Sequence, residues 1–565
     1  MGYAATRTLE RVAAAVGQLE SAPIEFQPAQ DIPQGGALLA VPALLAMGLL
    51  RHSAELYALP RGYYGLSSIL LLLAMMALAR VKSIEQLRYV APGEWGNLLG
   101  LDRIPEVRTL RAKLEILNQQ AGRAARWNTE LAKEWMGLRP EAEPMFYVDG
   151  HVRVYHGQEA QLPRHYVARQ RLYLRATVDY WVNALDGQPF FYVNKEIDHG
   201  LVRALRNDVV PWLEAQAPVS AAHQQRMEAD ASVPRFTVVF DREGYSPDLF
   251  ADLLQQRIAV LSYHRYPGED WPAEEFPEQA VELTNGETMK LRLAERDTRL
   301  PKGLRIREVR KLTEDGKQIS LISTHARLDA RALAASLFAR WAQENYFRYM
   351  RQHYDLDALV ERGAEAISDT EVTVNPAWRT LHREVRKQHA ALKKERARFA
   401  GVSLTEPLSE TEVTRYALGQ AQQQDKIEQL QRDLDRLKQQ RKVTPHHIAV
   451  KDLPEKDRFT RLFAERKHFI DTIKMISYRA ETSMVSILRE KLSRADDARS
   501  LLRQIYDTEV DLVPDLQACT LTVRLHHLTQ AAHDEVVRHL CEQLNETETI
   551  FPDTQLRLLF KVGSA

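Results

Sequence analysis

The spacing of hydrophobic residues changes along the chain and divides it into regions. From residue 1 to about 140, apolar residues recur every three or four positions with little alternation, which predicts helices. From about 145 to 325, short apolar runs separated by turn residues predict strands with occasional helices. Helical spacing returns beyond about 375, and the end of the chain predicts a small β-α-β unit.

The strand-rich region has a definite order of elements. Its predicted strands are 145–149, 176–182, 189–193, 236–241 and 258–263, and its predicted helices are 198–213 and 247–256. The order strand, strand, strand, helix, strand, helix, strand is that of a ribonuclease-H-like core. An open α/β sheet of this kind carries its active site at the ends of its strands.

An insertion interrupts this order at about residues 264–325. Pro-Gly, Asn-Gly and Asp-Gly turn signals separate alternating segments such as Thr288–Leu293 and Gln318–Ser323, which predicts β-structure. We therefore expect an α/β ribonuclease-H-like core with a β-rich insertion, flanked by an all-α N-terminal region and by a helical or coiled-coil plus small α+β C-terminal region. The predicted boundaries are 1–140, 141–365, 366–445 and 446–565.

Two segments beyond residue 375 have the spacing of packed helices. Leu381, Val385, Leu392 and Phe399 follow one another at intervals of 4, 7 and 7, in a stretch with eight Lys or Arg residues and two Glu. A second segment, Ile427 to Leu437, has apolar residues in a 3-4-3 rhythm. These patterns predict either an antiparallel helical hairpin or a short dimeric coiled coil.

Composition narrows the classes of protein that fit. Acidic and basic residues balance at 76 each, so any nucleic-acid-binding surface must be local. The apolar run from Ile69 to Leu78 is shorter than the roughly 20 residues that span a bilayer, and we expect no membrane partner. Two cysteines, Cys519 and Cys541, fit a reducing compartment. No phosphate-cradling glycine loop stands out, so no nucleotide cofactor is expected.

Three acidic residues stand out because of their settings. Asp149 ends the predicted strand 145–149, Asp241 ends the strand 236–241, and Glu344 lies in a helical stretch. Strand-end aspartates and a helical glutamate can hold hard divalent cations, an arrangement suited to chemistry on phosphodiesters. Each aspartate alone is also a common helix cap, so the prediction rests on all three occurring together in this order.

The helix around Glu344 adds cations beside this acid. Arg340 lies four residues before Glu344 and Arg351 seven residues after it, so the three share one face. Guanidinium groups hold phosphates through paired hydrogen bonds. We expect two Mg²⁺ ions about 3.5–4 Å apart, with Mn²⁺ as a substitute, bridged by Asp149 and completed by Asp241 and Glu344.

These residues resemble a known signature. The chain is similar to the DDE transposases of bacterial insertion sequences, in the branch whose third acid lies in a Tyr-x2-Arg-x3-Glu-x6-Lys signature. Leu337, Arg340, Glu344 and Arg351 occupy those positions, so a leucine replaces the Tyr and an arginine replaces the Lys. The Asp-Arg-Glu run that begins at Asp241 and the insertion between the second and third acids are similar too.

The resemblance implies roles for individual residues and for the whole protein. The implied catalytic and metal-binding residues are Asp149, Asp241 and Glu344, and the implied DNA-contacting residues are Arg242, Arg340, Arg348 and Arg351. The implied reaction is metal-dependent hydrolysis at the element's ends, which frees a 3′-hydroxyl, and then transesterification into target DNA. The implied partners are double-stranded transposon ends and target DNA, bound by a dimer in the bacterial cytoplasm near the nucleoid.

Other functions fit the same sequence. A metal-dependent nuclease of this fold would cleave without transposing, and a domesticated DNA-binding protein would have lost catalysis, although the intact trio of acids argues against the latter. Further DNA contacts could come from the basic stretch 151–175, which includes Arg153 and Arg169, from the helix 379–399, and from a turn and helix at 98–114. An exposed, solvated face is the alternative for each of them.

Overall fold

The structure is a computed structural model of the chain. The residues that it describes are 7–138, 143–158, 160–195, 200–283, 288–358, 364–366, 372–400, 409–453 and 460–563. They form two compact units, the first spanning Met1–His156, His165–Arg362 and Phe463–Ala565 and the second spanning Gly157–Arg164 and Gly363–Leu462. Segments predicted from the sequence as N-terminal, central and C-terminal regions therefore contribute to the same first unit.

The helices carry labels in chain order. They are α1 (Thr8–Ala15), α2 (Val41–Ala46), α3 (Ser53–Leu56), α4 (Leu66–Leu78), α5 (Pro92–Leu98), α6 (Val107–Leu117), α7 (Arg123–Gly137), α8 (Leu201–Ala204), α9 (Val210–Gln216), α10 (Ala221–Ala229), α11 (Pro247–Gln255), α12 (Ala330–Tyr354), α13 (Pro376–Ala400), α14 (Glu410–Val443), α15 (Glu465–Arg489), α16 (Ala498–Asp507) and α17 (Ala531–Asn545). A π-helical turn, Leu205–Val209, joins α8 to α9.

The strands are labelled in the same way. They are β1 (Ala29–Ile32), β2 (Met145–Val154), β3 (Arg164–Val167), β4 (Leu172–Asn183), β5 (Pro189–Lys195), β6 (Phe236–Phe240), β7 (Ile258–Tyr263), β8 (Glu278–Glu282), β9 (Thr288–Arg299), β10 (Arg305–Leu312), β11 (Gln318–Ser323), β12 (Ala364–Ala366), β13 (Val372–Val374), β14 (His447–Ala449), β15 (Thr460–Leu462), β16 (Val510–Asp515), β17 (Thr520–Leu525) and β18 (Arg557–Val562).

A large mixed sheet forms the centre of the first unit. Its strand order is β3-β4-β2-β6-β7-β11-β10-β9-β8, and β5 also pairs with β4. The neighbours β2, β6 and β7 run parallel, whereas β4 is antiparallel to β2 and β5 is antiparallel to β4. The strands predicted for the insertion, β8 to β11, continue this sheet through β7 instead of forming a sheet of their own.

Alternating side chains along the central strands bury both faces of the sheet. Phe146 and Val148 of β2 belong to the larger hydrophobic core. Tyr147 of β2 and Val239 of β6 face the opposite side, where they pack with Leu337 and its neighbours on α12. Because successive strand residues point to opposite faces, the register of β2 decides which of its polar residues lie beneath α12.

The helical flanks complete the same core. The C-terminal helix α15 packs against α2, α4 and α7 from the N-terminal part of the chain. The N-terminal strand β1 pairs with β16, in a four-stranded sheet that also contains β17 and β18. Glu465 at the start of α15 accepts hydrogen bonds from the backbone N–H groups of Gly122 and Ala124, at 2.8 and 2.6 Å.

A buried charge network joins α15 to the central sheet. Arg153 of β2 forms ion pairs with Asp179 of β4 and with Asp471 of α15, the latter at 2.8 Å, and all three side chains are at most 1% exposed. Lys467, also in α15, pairs with the same Asp471. Burial alone raises the pKa of the Asp471 carboxyl, but Arg153 and Lys467 outweigh that effect and hold it well below its usual range.

The second unit is built around two long helices. Contacts between Glu395 and Lys426 and between His382 and Arg441 show that α13 and α14 run antiparallel. Val385, Leu392 and Leu434 form the buried seam between them. Two short antiparallel ladders, β12 with β15 and β13 with β14, lie in the same unit.

Within the described residues, no helix combines the length and the apolar character needed to cross a bilayer.

The buried network predicts a large effect of removing its central cation. Arg153→Met leaves Asp179 and Asp471 buried without their partner, so we expect a loss of about 3–5 kcal/mol in the free energy of unfolding, measured by urea denaturation. Arg126→Met, which changes an exposed arginine of α7, should alter it by about 0.5 kcal/mol or less. Equal stability of both variants would contradict this account of the network.

A half-buried histidine of α15, His468, predicts a pH dependence of stability. Burial lowers the pKa of His468 to about 4, against about 6.5 in an unfolded chain. The unfolded state therefore binds the proton first, so this contribution is fully present above about pH 6.5 and falls by roughly 1.4 kcal/mol per unit as the pH drops toward 4. Chemical denaturation from pH 7 to 4.5 should show a shallower fall for His468→Gln than for the wild type.

The exposed His156 offers a matched control for this measurement. His156→Gln should keep the wild-type slope of unfolding free energy against pH. A wild-type slope in His468→Gln as well would show that His468 does not cause the pH dependence.

Candidate active site

The two aspartates lie side by side on neighbouring parallel strands. Val148 of β2 pairs with Phe240 of β6, so Asp149 and Asp241 are the next residues in the same register. Asp241 follows β6 directly, at the predicted strand end. Asp149 differs from the prediction: it lies within β2, because antiparallel pairing with β4 carries this strand on to Val154. The pairing of β2 with β6 ends at Val148 and Phe240, one residue before Asp149.

Contacts on either side of Asp149 show which way this part of β2 faces. Two residues earlier, the Tyr147 hydroxyl donates a hydrogen bond to the Ser336 carbonyl of α12 at 2.5 Å. Two residues later, the His151 ring stacks on Phe347 of α12, with ring centroids 4.9 Å apart. Since side chains two residues apart on a strand share a face, Asp149 also faces α12, between these two contacts.

The helix that carries Glu344 is fixed to the sheet by the preceding residue. The side-chain N–H₂ of Gln343, which is 1% exposed, donates to the backbone carbonyls of Tyr147 and Trp181, each at 3.3 Å, and to Asn183 Oδ1 at 2.9 Å. Glu344 itself is exposed, and it follows Leu337 by two helical turns on the face of α12 that packs against β2 and β6.

The turn between β4 and β5 supports α12 at the same point. Gly187 has a φ of +84°, and a Cβ atom built there would lie 2.7 Å from the carbonyl oxygen of Ala342. Only glycine fits both this backbone conformation and this close approach. The glycine of the Asp186-Gly187 turn therefore makes a packing contact two residues from Glu344.

A cleft of about 640 Å³ brings these elements together. Asp149 and Glu344 both line it, and so does Glu243, which follows Asp241 by two residues. Asp241 is not among the lining residues. Its Oδ1 accepts a hydrogen bond from the backbone N–H of Glu243 at 2.8 Å, so it also caps the short helical turn after β6.

A histidine that the sequence did not single out lies next to the acids. His151 lines the cleft, and its Nε2 is 2.6 Å from Asp357 Oδ1. Burial lowers the pKa of His151, although the hydrogen bond with Asp357 works in the opposite direction. Burial alone raises the pKa of Asp357, but the hydrogen bond from His151 and the charge of Arg169 outweigh it and keep this carboxyl below its usual range.

Two of the four arginines that the resemblance implies as DNA contacts line the cleft. Arg348 and Arg351 line it; Arg348 is exposed and donates to Asn345 Oδ1, and Arg351 donates to the Phe347 carbonyl at 3.3 Å. Arg242 is exposed after β6, with its guanidinium carbon 5.7 Å from the centre of the Tyr263 ring. Arg340 lies within α12, but its side chain is outside the described part of the structure.

The basic stretch 151–175 divides into a buried and an exposed part. Arg153, predicted on a DNA-tracking face, is instead buried in the charge network because it faces α15. Arg169 lines the cleft, and the exposed ring of Tyr166 stands beside it, 5.3 Å from the ring of Tyr173. Arg169 and Tyr166 of the β3–β4 hairpin therefore bring a cation and an aromatic ring to the cleft.

A second group of possible metal ligands lies away from this cleft. Atoms of Asp31, Glu509 and His526 lie within 4.8 Å of one another. The nearest carboxylate to the His526 ring belongs to Asp511, 3.0 Å from Nε2. These carboxylates come from β1 and the segment around β16, and their ion pairs with His526 tie β1 and β16 to β17.

The oxygen atoms at the cleft are of the kind that Mg²⁺ prefers. Asp149 and Glu344 provide carboxylates on its wall, and Asp241 provides one beside Asp149. A hard cation bound through a few carboxylates leaves positions for water and for phosphate oxygens. The arginines at the rim suit a phosphate backbone.

Comparison with protein families decides the class of this protein. A family described as "Transposase protein" matches residues 2–564, nearly the whole chain. The chain belongs to this transposase family. No curated protein matches the chain.

Some residues at this transposase's cleft had no signal in the sequence. His151 follows the acid by two residues, but only the continuation of β2 beyond Asp149 puts it on the same face. Asp357 pairs with His151 and Arg169 from a position that no local pattern connects to Asp149, whereas Arg169 belongs to the basic stretch named from the sequence. Glu243 belonged to the Asp-Arg-Glu run, and its place in the cleft follows from the turn that Asp241 caps.

The contact between Gly187 and α12 predicts that an added methyl group disturbs the helix next to Glu344. Gly187→Ala should lower the free energy of unfolding by more than the roughly 1–2 kcal/mol expected for a left-handed alanine. It should also speed amide hydrogen exchange in the middle of α12, measured by mass spectrometry.

Gly316 is a matched control, because its φ is +79° and a Cβ there meets nothing within 4 Å. Gly316→Ala should show only the backbone cost and leave exchange in α12 unchanged. Identical behaviour of the two variants would mean that the contact does not hold α12 in place.

Proposed function

We propose that the chain is a DDE-type DNA transposase, in which Asp149, Asp241 and Glu344 are the catalytic acids. The single observation that carries the proposal is the register of β2 and β6 beneath α12. It puts two aspartates at neighbouring positions that face the helix carrying the glutamate. Asp149 and Glu344 line one open cleft together with Arg348 and Arg351, and Asp241 follows the strand that pairs with β2 beside Asp149.

A ribonuclease-H-like core is part of the same proposal. The strand order β5-β4-β2-β6-β7 supports it, in which β4 is antiparallel to both of its neighbours, β5 and β2, and β6 and β7 are parallel to β2. So does the position of the acids at the end of the parallel pairing, since an open α/β sheet carries its chemistry at the ends of its strands. The insertion, β8 to β11, extends the sheet and packs against α12.

The acids fit a site for divalent cations. Asp149 would bridge two Mg²⁺ ions, or Mn²⁺ in their place, and Asp241 and Glu344 would each complete one of them. When bound, such a pair activates the attacking oxygen and stabilises the leaving oxygen of an in-line displacement at phosphorus. The hydrogen bond from Glu243 to Asp241 orients one carboxylate and leaves its second oxygen for coordination.

The surrounding residues have roles that follow from their contacts. Arg348 and Arg351 line the cleft and would bind the phosphates that flank the reacting bond, and Arg242 would do so from the end of β6. Arg340 is proposed for the same purpose from its position one turn before Glu344. Asp357 orients the buried His151, which keeps this ring stacked on Phe347 beside Asp149.

The proposed reaction has two steps on one type of substrate. Hydrolysis at each end of the element frees a 3′-hydroxyl, and that hydroxyl then displaces a phosphodiester oxygen in target DNA. The substrates are double-stranded DNA ends and target DNA, which a dimer would hold together in the bacterial cytoplasm at the nucleoid. Cleavage without joining would point to the alternative, a metal-dependent nuclease of the same fold.

Substitution of the acids tests the proposal. In an assay with the full chain, Mg²⁺, duplexes carrying the inverted repeats that flank the gene, and a plasmid target, Asp149→Asn, Asp241→Asn and Glu344→Gln should each lose cleavage and joining. Loss of groups that only orient metal ligands costs about 10–100-fold, so we expect losses above 100-fold. Gel electrophoresis resolves the nicked and joined products.

Asp248→Asn is the matched control, because Asp248 is an exposed carboxylate of α11 that pairs with Lys302 away from the cleft. It should cleave and join at the wild-type rate. Wild-type cleavage by any one of the three acid variants, with the fold intact by circular dichroism, would overturn the assignment. Joining that persists in EDTA would overturn the dependence on divalent cations.

A further inference from the structure

Helix α13 concentrates positive charge in a chain whose total charge is zero. It carries eight Lys or Arg residues and two Glu within 25 residues. Its partner α14 carries seven Lys or Arg residues and six acids within 34. The net positive charge of the hairpin is therefore almost entirely on α13.

The cations of α13 are aligned on its outer side. Six exposed Lys and Arg residues of α13 recur at intervals of three, four and seven residues: Arg379, Arg383, Arg386, Lys387, Lys393 and Lys394. At 3.6 residues per turn they fall within about a third of the helix circumference. This stripe lies opposite Val385 and Leu392, which are buried in the seam with α14.

These six cations differ from those of α14 in their partners. In the described part of the chain, none of the six forms an ion pair. On α14, Arg436 pairs with Asp433 at 3.2 Å and Lys438 with Asp435 at 3.7 Å, each one turn apart. Like charges three or four residues apart destabilise a helix. The stripe on α13 therefore does not contribute to the stability of the hairpin, and its presence needs another explanation.

The dimensions of the stripe fit a nucleic-acid backbone. From Arg379 to Lys394 it extends about 22 Å along the helix axis, at 1.5 Å per residue. Duplex DNA presents one negative charge per roughly 1.7 Å of its axis, so a stripe of this length can reach several phosphates. Flexible cations on a rigid helix suit contact with the backbone and do not select a base sequence.

We propose that the outer face of α13 is a binding surface for the phosphate backbone of duplex DNA. The proposal deepens the proposed function by naming a second DNA contact, and it rests on that function only for the choice of partner. The apolar seam with α14 holds the helix, and the six cations bind phosphates independently of sequence. An ordinary solvated helix face, the alternative, would bind no particular polyanion.

Measurement of DNA affinity against salt tests the surface. The variant Arg383→Gln/Arg386→Gln/Lys387→Gln/Lys394→Gln removes four cations of the stripe and keeps good helix formers. Fluorescence anisotropy with the full chain and a labelled duplex, in EDTA, should show at least about tenfold weaker binding near 0.1 M salt. The slope of log K against log[salt] should fall by about 0.9 for each lost contact, up to about 3.6.

The neighbouring helix provides a charge-matched control. Arg432→Gln/Arg436→Gln/Lys438→Gln/Lys442→Gln removes four exposed cations from α14 and should change the slope by less than about one contact. A second α13 variant, Arg383→Lys/Arg386→Lys, keeps the charge and should keep the wild-type slope. A wild-type slope in the α13 glutamine variant, or equal losses in both glutamine variants, would overturn the proposal.

The assay separates this proposal from the catalytic one. EDTA prevents metal-dependent cleavage, so the affinity does not depend on whether the acids carry out chemistry. Thermal unfolding of the glutamine variants, followed at 222 nm, should match the wild type. If the α13 glutamine variant unfolds early, the slopes are compared at a temperature at which all variants are folded, and a reduced slope in the lysine variant despite its preserved charge would overturn the proposal.

Discussion

The geometry of the candidate site depends on one buried amide. Gln343, which is 1% exposed, donates hydrogen bonds to the backbone of β2 and β4. An unsatisfied buried amide costs about 1–3 kcal/mol, so α12 is held to one register on the sheet. Glu344 follows immediately, and Asp149 is two residues from a strand residue that accepts one of these bonds. The spacing of the acids is thus a consequence of secondary-structure packing.

The same strand joins the site to the rest of the chain. Along one face of β2, Tyr147, Asp149, His151 and Arg153 contact α12 first and α15 last. Because α15 comes from the C-terminal part of the chain and packs on N-terminal helices, the flanks are part of the support of the sheet. Buried ion pairs are costly to break one partner at a time, which makes this junction specific. The cleft therefore stands on a core assembled from three distant segments.

Charge is distributed unevenly in a chain with no net charge. Around the cleft, arginines of α12 and of the β3–β4 hairpin are mixed with carboxylates. The proposed site, which would hold metal ions and phosphates together, requires side chains of both charges. Helix α13 carries eight Lys or Arg residues and two Glu. The total charge of zero gives no indication of either arrangement. In physiological salt, the interactions between exposed charges are screened beyond about 8–10 Å, so the local distribution of charge is what a ligand meets. In this chain, the surface charge therefore has to be described for each helix and strand separately.

The sequence by itself determined most local structure and singled out the three acids as candidates. Period-two and period-3.6 patterns are local, so β6, β7, β11, α11 and the helices of the hairpin lie where predicted, and Asp241 follows its strand. Only the tertiary structure decided that β2 continues past Asp149, that His151 lines the cleft and pairs with Asp357, and that Arg153 is buried. Those outcomes depend on pairing with β4 and packing of α15, and contacts between distant segments leave no periodic trace in the chain.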